Sequence, residues 1–159
     1  MPVALYPGTF DPITFGHINI LVRASKIFNK VIAVVADNAH KNQLFSVRER
    51  VAMIKESVAD FQKIEVISYK GLTANCLKEN DATVIIRGMR ALSDFDYEFQ
   101  MAFTNRTLNA KAETVFLMPS GKYVYLSSTM VKDVARLGGD VSTFVPEHVM
   151  KQLNKKFKR

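Results

Sequence analysis

Five short runs of apolar and β-branched residues recur along the chain, and stretches with helical spacing separate them. Because both faces of these runs are apolar, they predict strands covered on both sides, as in a parallel sheet. The alternation predicts a doubly wound, Rossmann-like α/β fold with one five-stranded parallel sheet and right-handed crossovers. The predicted strands span residues 3–6, 31–36, 64–68, 83–87 and 114–118.

Capping residues mark where helices begin and end. A helix with Gly16 and His17 in its first turn is predicted by apolar residues at helical spacing from Ile18 onward. Ser46 and Glu49 have the spacing of a capping box, which predicts a second helix. Four more helices are predicted. One spans residues 73–79, and one spans residues 93 to about 108 with Ser93 as its cap. Another spans residues 128 to about 137 with Ser127 or Ser128 as its cap, and a basic terminal helix spans about 146–159 with Pro146 as its first residue.

Length and composition limit the class of protein. At 159 residues and 48% hydrophobic, the chain predicts a single domain over residues 1–159. Its apolar runs fall short of the roughly 20 residues of a membrane helix, and no secretory signal opens it. The single cysteine, Cys76, and three scattered histidines show no metal-ligand spacing. We therefore expect a cytoplasmic protein with no membrane partner and no structural metal.

The net charge of +7 raises the possibility of nucleic-acid binding, but its distribution argues against it. Five of the 22 basic residues lie in the last nine positions, which leaves 17 basic against 15 acidic residues in residues 1–150. A nucleic-acid-binding protein would need basic residues spread over one face with exposed aromatics. We expect no nucleic-acid partner and a solvated basic tail.

The segment YPGTFDPITFGH, residues 6–17, joins a strand end, a turn and a helix start. Free N–H groups and the positive end of the helix dipole attract anions there, and Gly16 allows close approach. His17 adds a donor or a cation. Alternatively, Gly16 only opens the helix and His17 is a surface residue.

Other anion-binding candidates follow the predicted strands, at the same edge of the sheet. No GxGxxG or GxxxxGK[ST] pattern occurs, so the phosphates must be held differently. Residues 126–129 offer a second helix start with three hydroxyls. Arg87 and Arg90 offer guanidinium forks for phosphate, although salt bridges to Asp94, Asp96 or Glu98 are a competing interpretation.

These motifs resemble those of a known superfamily. The TFGH of residues 14–17 and the SST of residues 127–129, with Lys132 at a basic position, are similar to nucleotidylyltransferase signatures. The segment RGMRALSDFDYE, residues 87–98, resembles the bacterial phosphopantetheine adenylyltransferase family, and the likeness covers essentially the full length. It implies transfer of AMP from ATP with Mg²⁺ to 4′-phosphopantetheine, giving dephospho-CoA and pyrophosphate, in a homohexamer with dephospho-CoA and CoA as product or feedback ligands.

The resemblance also implies roles for individual residues. His17 would stabilise the transition state, with Lys41 and Arg90 as further catalytic residues. Mg²⁺ would be held mainly by phosphates, without a protein ligand. The implied acceptor-binding residues are Thr9, Lys41, Thr73 and Arg87, and the implied ATP-binding residues are Thr9, Phe10, His17, Gly88, Met89, Arg90, Glu98, Tyr123, Val124, Tyr125, Leu126, Ser127, Ser128 and Thr129.

Two positions depart from the family pattern. Thr73 stands where an aliphatic residue is frequent, so it would contact the acceptor through its backbone or a new hydrogen bond. Asn42 and Gln43 follow Lys41 where another lysine and a proline are common.

Two alternatives stay open. A sibling nucleotidylyltransferase acting on nicotinamide mononucleotide, or using CTP, would share the first and last motifs without residues 87–98. A non-catalytic nucleotide-binding module would keep the pocket and release no pyrophosphate.

Overall fold

Five parallel strands form one sheet in the computed structural model, which describes residues 2–37 and 42–158. The strand order β3-β2-β1-β4-β5 confirms the predicted doubly wound parallel sheet. Predicted and observed boundaries differ by at most two residues. The strands are β1 (Val3–Gly8), β2 (Lys30–Ala36), β3 (Ile64–Tyr69), β4 (Val84–Gly88) and β5 (Glu113–Leu117).

Helices cover both faces of this sheet. Along β1, Ala4 packs into the larger of two hydrophobic clusters and Leu5 into the smaller one, as alternation along a strand requires. None of the helices in the described ranges has the length and apolarity needed to cross a membrane. The helices are α1 (Phe15–Ile27), α2 (Val47–Ser57), α3 (Thr73–Glu79), α4 (Phe95–Leu108), α5 (Ser128–Arg136) and α6 (Glu147–Lys156), with single 3₁₀ turns at Leu92–Asp94 and Gly121–Tyr123.

The strand order reverses direction at β1, which pairs with β2 on one side and β4 on the other. In such sheets the loops after the two central strands separate and leave a crevice at the carboxyl ends. The segments after β1 and β4 therefore border the same crevice. They carry the first motif and the two arginines Arg87 and Arg90.

The caps of α2 and α5 agree with the sequence. The Glu49 N–H donates to Ser46 Oγ at 3.2 Å, and the Ser46 N–H donates to Glu49 Oε2 at 2.8 Å, which completes the capping box. Ser127, of the two candidates, caps α5.

Two predicted helix starts are wrong. Ser93 does not cap a helix, because it lies inside the 3₁₀ turn, and α4 begins after Asp94 with no side-chain cap. Pro146 was predicted to be the first residue of the terminal helix, but α6 begins one residue later, at Glu147, and Pro146 is its N-cap. Its backbone is extended, with φ −58° and ψ 156°.

Replacing Ser46 with alanine should lower the free energy of unfolding by about 1 kcal/mol, because the Glu49 N–H loses its acceptor. The control is Ser93→Ala, which should stay within about 0.5 kcal/mol of the wild type because Ser93 makes no cap. Urea unfolding followed by circular dichroism measures both. A larger loss at Ser93 than at Ser46 would contradict these cap assignments.

Candidate functional site

A cavity of about 430 Å³ lies in the crevice between β1 and β4. The ends of these strands and the first turns of α1 and α5 form its walls, so the distant motifs of the sequence meet here. Of the predicted ATP-binding and acceptor-binding residues, the cavity is lined by Thr9, Phe10, His17, Arg87, Gly88, Arg90, Glu98, Tyr123, Leu126, Ser127, Ser128 and Thr129.

A second cavity of about 210 Å³ adjoins the first. Five residues line both cavities and form their shared wall: Pro7, Gly8, Thr9, Arg87 and Glu98. Thr73, at the start of α3, lines only the smaller cavity. The rest of its lining combines apolar and polar groups, including Ile85, Tyr97, Met101, Asn105 and Thr114.

Four predicted site residues are not among those that line either cavity. Met89, Val124 and Tyr125 line neither, and Tyr125 is 90% exposed. Lys41 lies outside the described residues. The predicted roles of these four residues stay predictions.

His17 is oriented by the helix cap that it helps to form. Thr14 is the cap of α1, and its hydroxyl accepts from the His17 N–H at 3.4 Å. The Thr14 N–H donates to His17 Nδ1 at 3.1 Å. A backbone N–H can only donate, so Nδ1 is the acceptor nitrogen and the neutral ring carries its proton on Nε2. The ring therefore presents Nε2–H as a donor that has no partner among the described residues.

Burial and two cations keep His17 uncharged. Desolvation of the ring, followed by the charges of Arg90 and Arg87, lowers the pKa of His17 from 6.5 to about 4. Phe10 packs against the ring in a T-shaped arrangement, with 5.0 Å between the ring centroids. Of the two possibilities that the sequence left open for His17, the structure therefore favours a neutral donor over a cation at neutral pH.

Arg87 is paired with a carboxylate. Its Nε and Nη2 donate to the two carboxylate oxygens of Glu98 at 2.8 and 2.7 Å, and its Nη1 donates to the Pro7 carbonyl at 2.8 Å. Burial lowers the pKa of Arg87, but the hydrogen bond and charge of Glu98 outweigh it and raise the pKa overall. The salt bridge that competed with phosphate binding in the sequence is thus present, and it occupies both Glu98 oxygens.

Arg90 is held more loosely. Its Nη1 donates to the Leu126 carbonyl at 3.2 Å, which joins the segment after β4 to the segment before α5. Its Nε lies 3.7 Å from Asp94 Oδ2, and the side chain is 43% exposed. Arg90 is therefore the less neutralised of the two guanidiniums that line the larger cavity.

The three hydroxyls at the start of α5 are not equivalent. Ser127 Oγ accepts from the Met130 N–H at 3.1 Å, and Ser128 Oγ donates to the Pro12 carbonyl at 2.7 Å. The Thr129 hydroxyl makes no hydrogen bond within the described part of the chain. Of the three, Ser128 already uses its O–H proton, whereas Ser127 and Thr129 can each donate to a ligand without losing a structural bond.

Asp11 is a lining residue to which the sequence analysis gave no role. Its carboxylate accepts from the Leu44 and Phe45 N–H groups, both at 2.9 Å, and pairs with Lys132 Nζ at 2.8 Å. It thereby ties the first motif to α5 and to the segment before α2. The sequence signal was weak, because Lys132 lies 121 positions further along the chain.

The described residues contain no group of three or more histidine, cysteine, aspartate or glutamate side chains arranged to hold a metal. The three carboxylates that line the larger cavity are all paired with cations: Asp11 with Lys132, Glu98 with Arg87, and Asp94 with Arg90.

A solved structure supports the fold. A protein from Vibrio parahaemolyticus, provisionally described as a nicotinate-nucleotide adenylyltransferase, superposes with a TM-score of 0.69 over 99% of this chain and 96% of that one. The two sequences are 15% identical, so the likeness concerns the fold alone.

Sequence comparison defines the family. Residues 5–134 match the sequence model of the cytidylyltransferase-like family. The phosphopantetheine adenylyltransferase of Alkaliphilus metalliredigens is 51% identical over 98% of this chain and 99% of its own length. That of Methylococcus capsulatus is 49% identical over 97% of this chain and 95% of its own. The chain therefore belongs to the cytidylyltransferase-like family and, within it, to the phosphopantetheine adenylyltransferases.

Proposed function

We propose that this chain transfers AMP from ATP to 4′-phosphopantetheine, giving dephospho-CoA and pyrophosphate. The observation that carries the proposal is the arrangement of two adjoining cavities around one wall that includes Thr9, Arg87 and Glu98. The larger cavity brings a neutral histidine donor, the exposed Arg90 and two helix starts together. The names of the relatives at 49–51% identity support the same assignment.

The reaction needs positioning more than proton transfer. A phosphate oxygen of the acceptor attacks the α-phosphorus in line, the new P–O bond forms, and the bond to pyrophosphate breaks. Charge that accumulates on the α-phosphate oxygens is stabilised by preorganised donors. His17 Nε2–H is such a donor, and Arg90 neutralises the departing phosphates. No covalent nucleophile is required.

The smaller cavity suits the acceptor's chain. Phosphopantetheine carries amide and methylene groups alternately, and the cavity is lined by polar Asn105 and Thr114 beside apolar Ile85 and Met101. Its phosphate would then lie at the shared wall near Arg87, which keeps donor capacity beyond its bonds to Glu98 and Pro7. Thr73 would contact the chain, and Lys41 would add charge at the phosphate.

Mg²⁺ would be held mainly by the phosphates of ATP. Each carboxylate that lines the larger cavity already pairs with a cation, and Mg²⁺ commonly combines one or two protein oxygens with phosphates and water. When bound, the ion would neutralise phosphate charge.

Dephospho-CoA would span both cavities as product, and CoA, which has the same pantetheine chain, would compete for the smaller cavity. The buried thiol of Cys76 suits a reducing cytoplasm.

We also propose that the chain forms a homohexamer, and α4 carries an exposed apolar face that supports self-association. Phe95, Phe99 and Phe103 recur every four residues, with ring centroids 5.4 and 4.8 Å apart. All three are more than 40% exposed. A contiguous exposed aromatic stripe is typical of a protein–protein interface.

The activity is tested by pyrophosphate release from ATP and Mg²⁺ in four parallel reactions: with 4′-phosphopantetheine, with nicotinamide mononucleotide, with nicotinate mononucleotide, and without acceptor. We expect release only with 4′-phosphopantetheine, and loss of release when EDTA removes the metal. Release with a mononucleotide acceptor instead would identify a sibling transferase. ATP binding without any release would identify a nucleotide-binding module.

Replacing His17 with alanine should lower kcat about a hundredfold or more, because one preorganised donor to the transition state is lost. The dissociation constant for ATP should change only a few-fold, because other groups bind the phosphates. Steady-state kinetics and calorimetry on folded protein measure the two effects. His148→Ala, on α6, is the matched control and should keep wild-type turnover. Wild-type turnover in His17→Ala would refute the assigned role.

Replacing Phe99 with aspartate should shift the protein to a smaller species in sedimentation, because the change places a charge in the aromatic stripe. Leu137→Asp is the control, since Leu137 is 84% exposed but lies beyond α5, outside the stripe. A monomeric wild type, or an unchanged assembly in Phe99→Asp, would overturn the proposed interface.

A further inference from the structure

Arg50 lies behind Thr9, which lines both cavities, and holds three segments together. It is on the inner face of α2 and is 1% exposed. Its Nε donates to the Phe45 carbonyl at 3.1 Å. Its Nη1 donates to the Thr9 carbonyl at 2.7 Å and to the Ala36 carbonyl at 3.1 Å. One guanidinium therefore links the segment before α2, the turn after β1 and the last residue of β2.

Among the described residues, the hydrogen-bond partners of this buried cation are all neutral carbonyls. Asp11 and Asp37 raise the pKa of Arg50 by their charge, against the larger lowering by burial, but neither makes a salt bridge with it. A buried cation is costly to keep, and an apolar side chain could fill the same volume. Filling the core therefore does not explain an arginine here. Its distinctive property is that it turns carbonyl oxygens of two neighbouring strand ends toward itself.

The direction of the Thr9 carbonyl fixes the direction of the next N–H. The Thr9–Phe10 peptide is trans, so its N–H points away from its C=O. Arg50 holds that carbonyl on the side of α2, which directs the Phe10 N–H the opposite way. This N–H makes no hydrogen bond within the described ranges, and Phe10 lines the larger cavity. Phe10 also has φ of 50°, a conformation that needs support in a residue with a side chain.

We propose that Arg50 is a positioning residue for nucleotide phosphates: it turns the Thr9 carbonyl away from the larger cavity and so presents the Phe10 N–H to a phosphate oxygen. The assignment rests on the proposed function, because it takes the ligand of that cavity to be a nucleoside triphosphate. The role is twofold. It supplies a donor, and it removes a carbonyl dipole that would repel the anion.

The test compares Arg50→Lys with Ile54→Val. Lysine keeps the charge but has all its donors on one nitrogen, so it cannot reproduce the bonds that Arg50 makes from Nε and Nη1. Ile54 is a buried residue of the same helix that lines neither cavity. Calorimetry measures the dissociation constants of ATP, tripolyphosphate and adenosine on protein whose folding is verified by thermal melting. We expect Arg50→Lys to weaken ATP and tripolyphosphate binding about tenfold or more, while adenosine binding stays within about twofold. Ile54→Val should change none of the three.

Unchanged tripolyphosphate binding in folded Arg50→Lys would overturn the proposal, and so would an equal loss for all three ligands. If the variant does not fold, nuclear magnetic resonance of wild-type protein labelled with ¹⁵N-phenylalanine tests whether the Phe10 N–H contacts the phosphates. Tripolyphosphate should then shift the Phe10 amide resonance, and an unshifted resonance at saturation would overturn the proposal. A wild type that binds neither ATP nor tripolyphosphate would instead refute the proposed function itself.

Discussion

The site depends on the hydrogen bond from the Thr14 N–H to His17 Nδ1 at the first turn of α1. This bond does more than cap a helix, because it fixes which nitrogen of the ring carries the proton. The Thr14 hydroxyl closes the same turn by accepting the His17 N–H. The start of the helix and the orientation of the His17 ring donor thus depend on the same local hydrogen bonds, which four consecutive residues encode.

Electrostatics then decide the charge state of that donor. Burial, followed by the charges of Arg90 and Arg87, lowers the pKa of His17, so the two cations near the ring help to keep it neutral. The two arginines differ in how far their own charges are neutralised. Glu98 neutralises Arg87 through two short hydrogen bonds, whereas Arg90 stays partly exposed. The site therefore places a partly exposed cation, Arg90, beside a neutral ring with a hydrogen-bond donor, His17 Nε2–H.

The sequence was sufficient to predict the sheet, its parallel arrangement and the meeting of the motifs, because apolar runs and caps are local signals. It was insufficient for Asp11 and Arg50, whose partners lie far away or are backbone carbonyls. Every residue has a backbone carbonyl, so the sequence does not show which carbonyls an arginine will bind. In the sequence, Arg50 therefore looks like any other arginine in a helix. The predicted cap at Ser93 was wrong because a pattern of residues does not show the backbone conformation. A serine caps a helix only where its own backbone is extended, and Ser93 lies inside a 3₁₀ turn.

The protonation state of His17 in the free protein is the most direct test of this description of the site. Nuclear magnetic resonance of ¹⁵N-histidine-labelled protein gives the tautomer and the pKa of each of the three histidines. We expect a His17 ring with its proton on Nε2 and a pKa of about 4, so that it is neutral at pH 6.5. A ring protonated on Nδ1, or an imidazolium at pH 6.5, would contradict it.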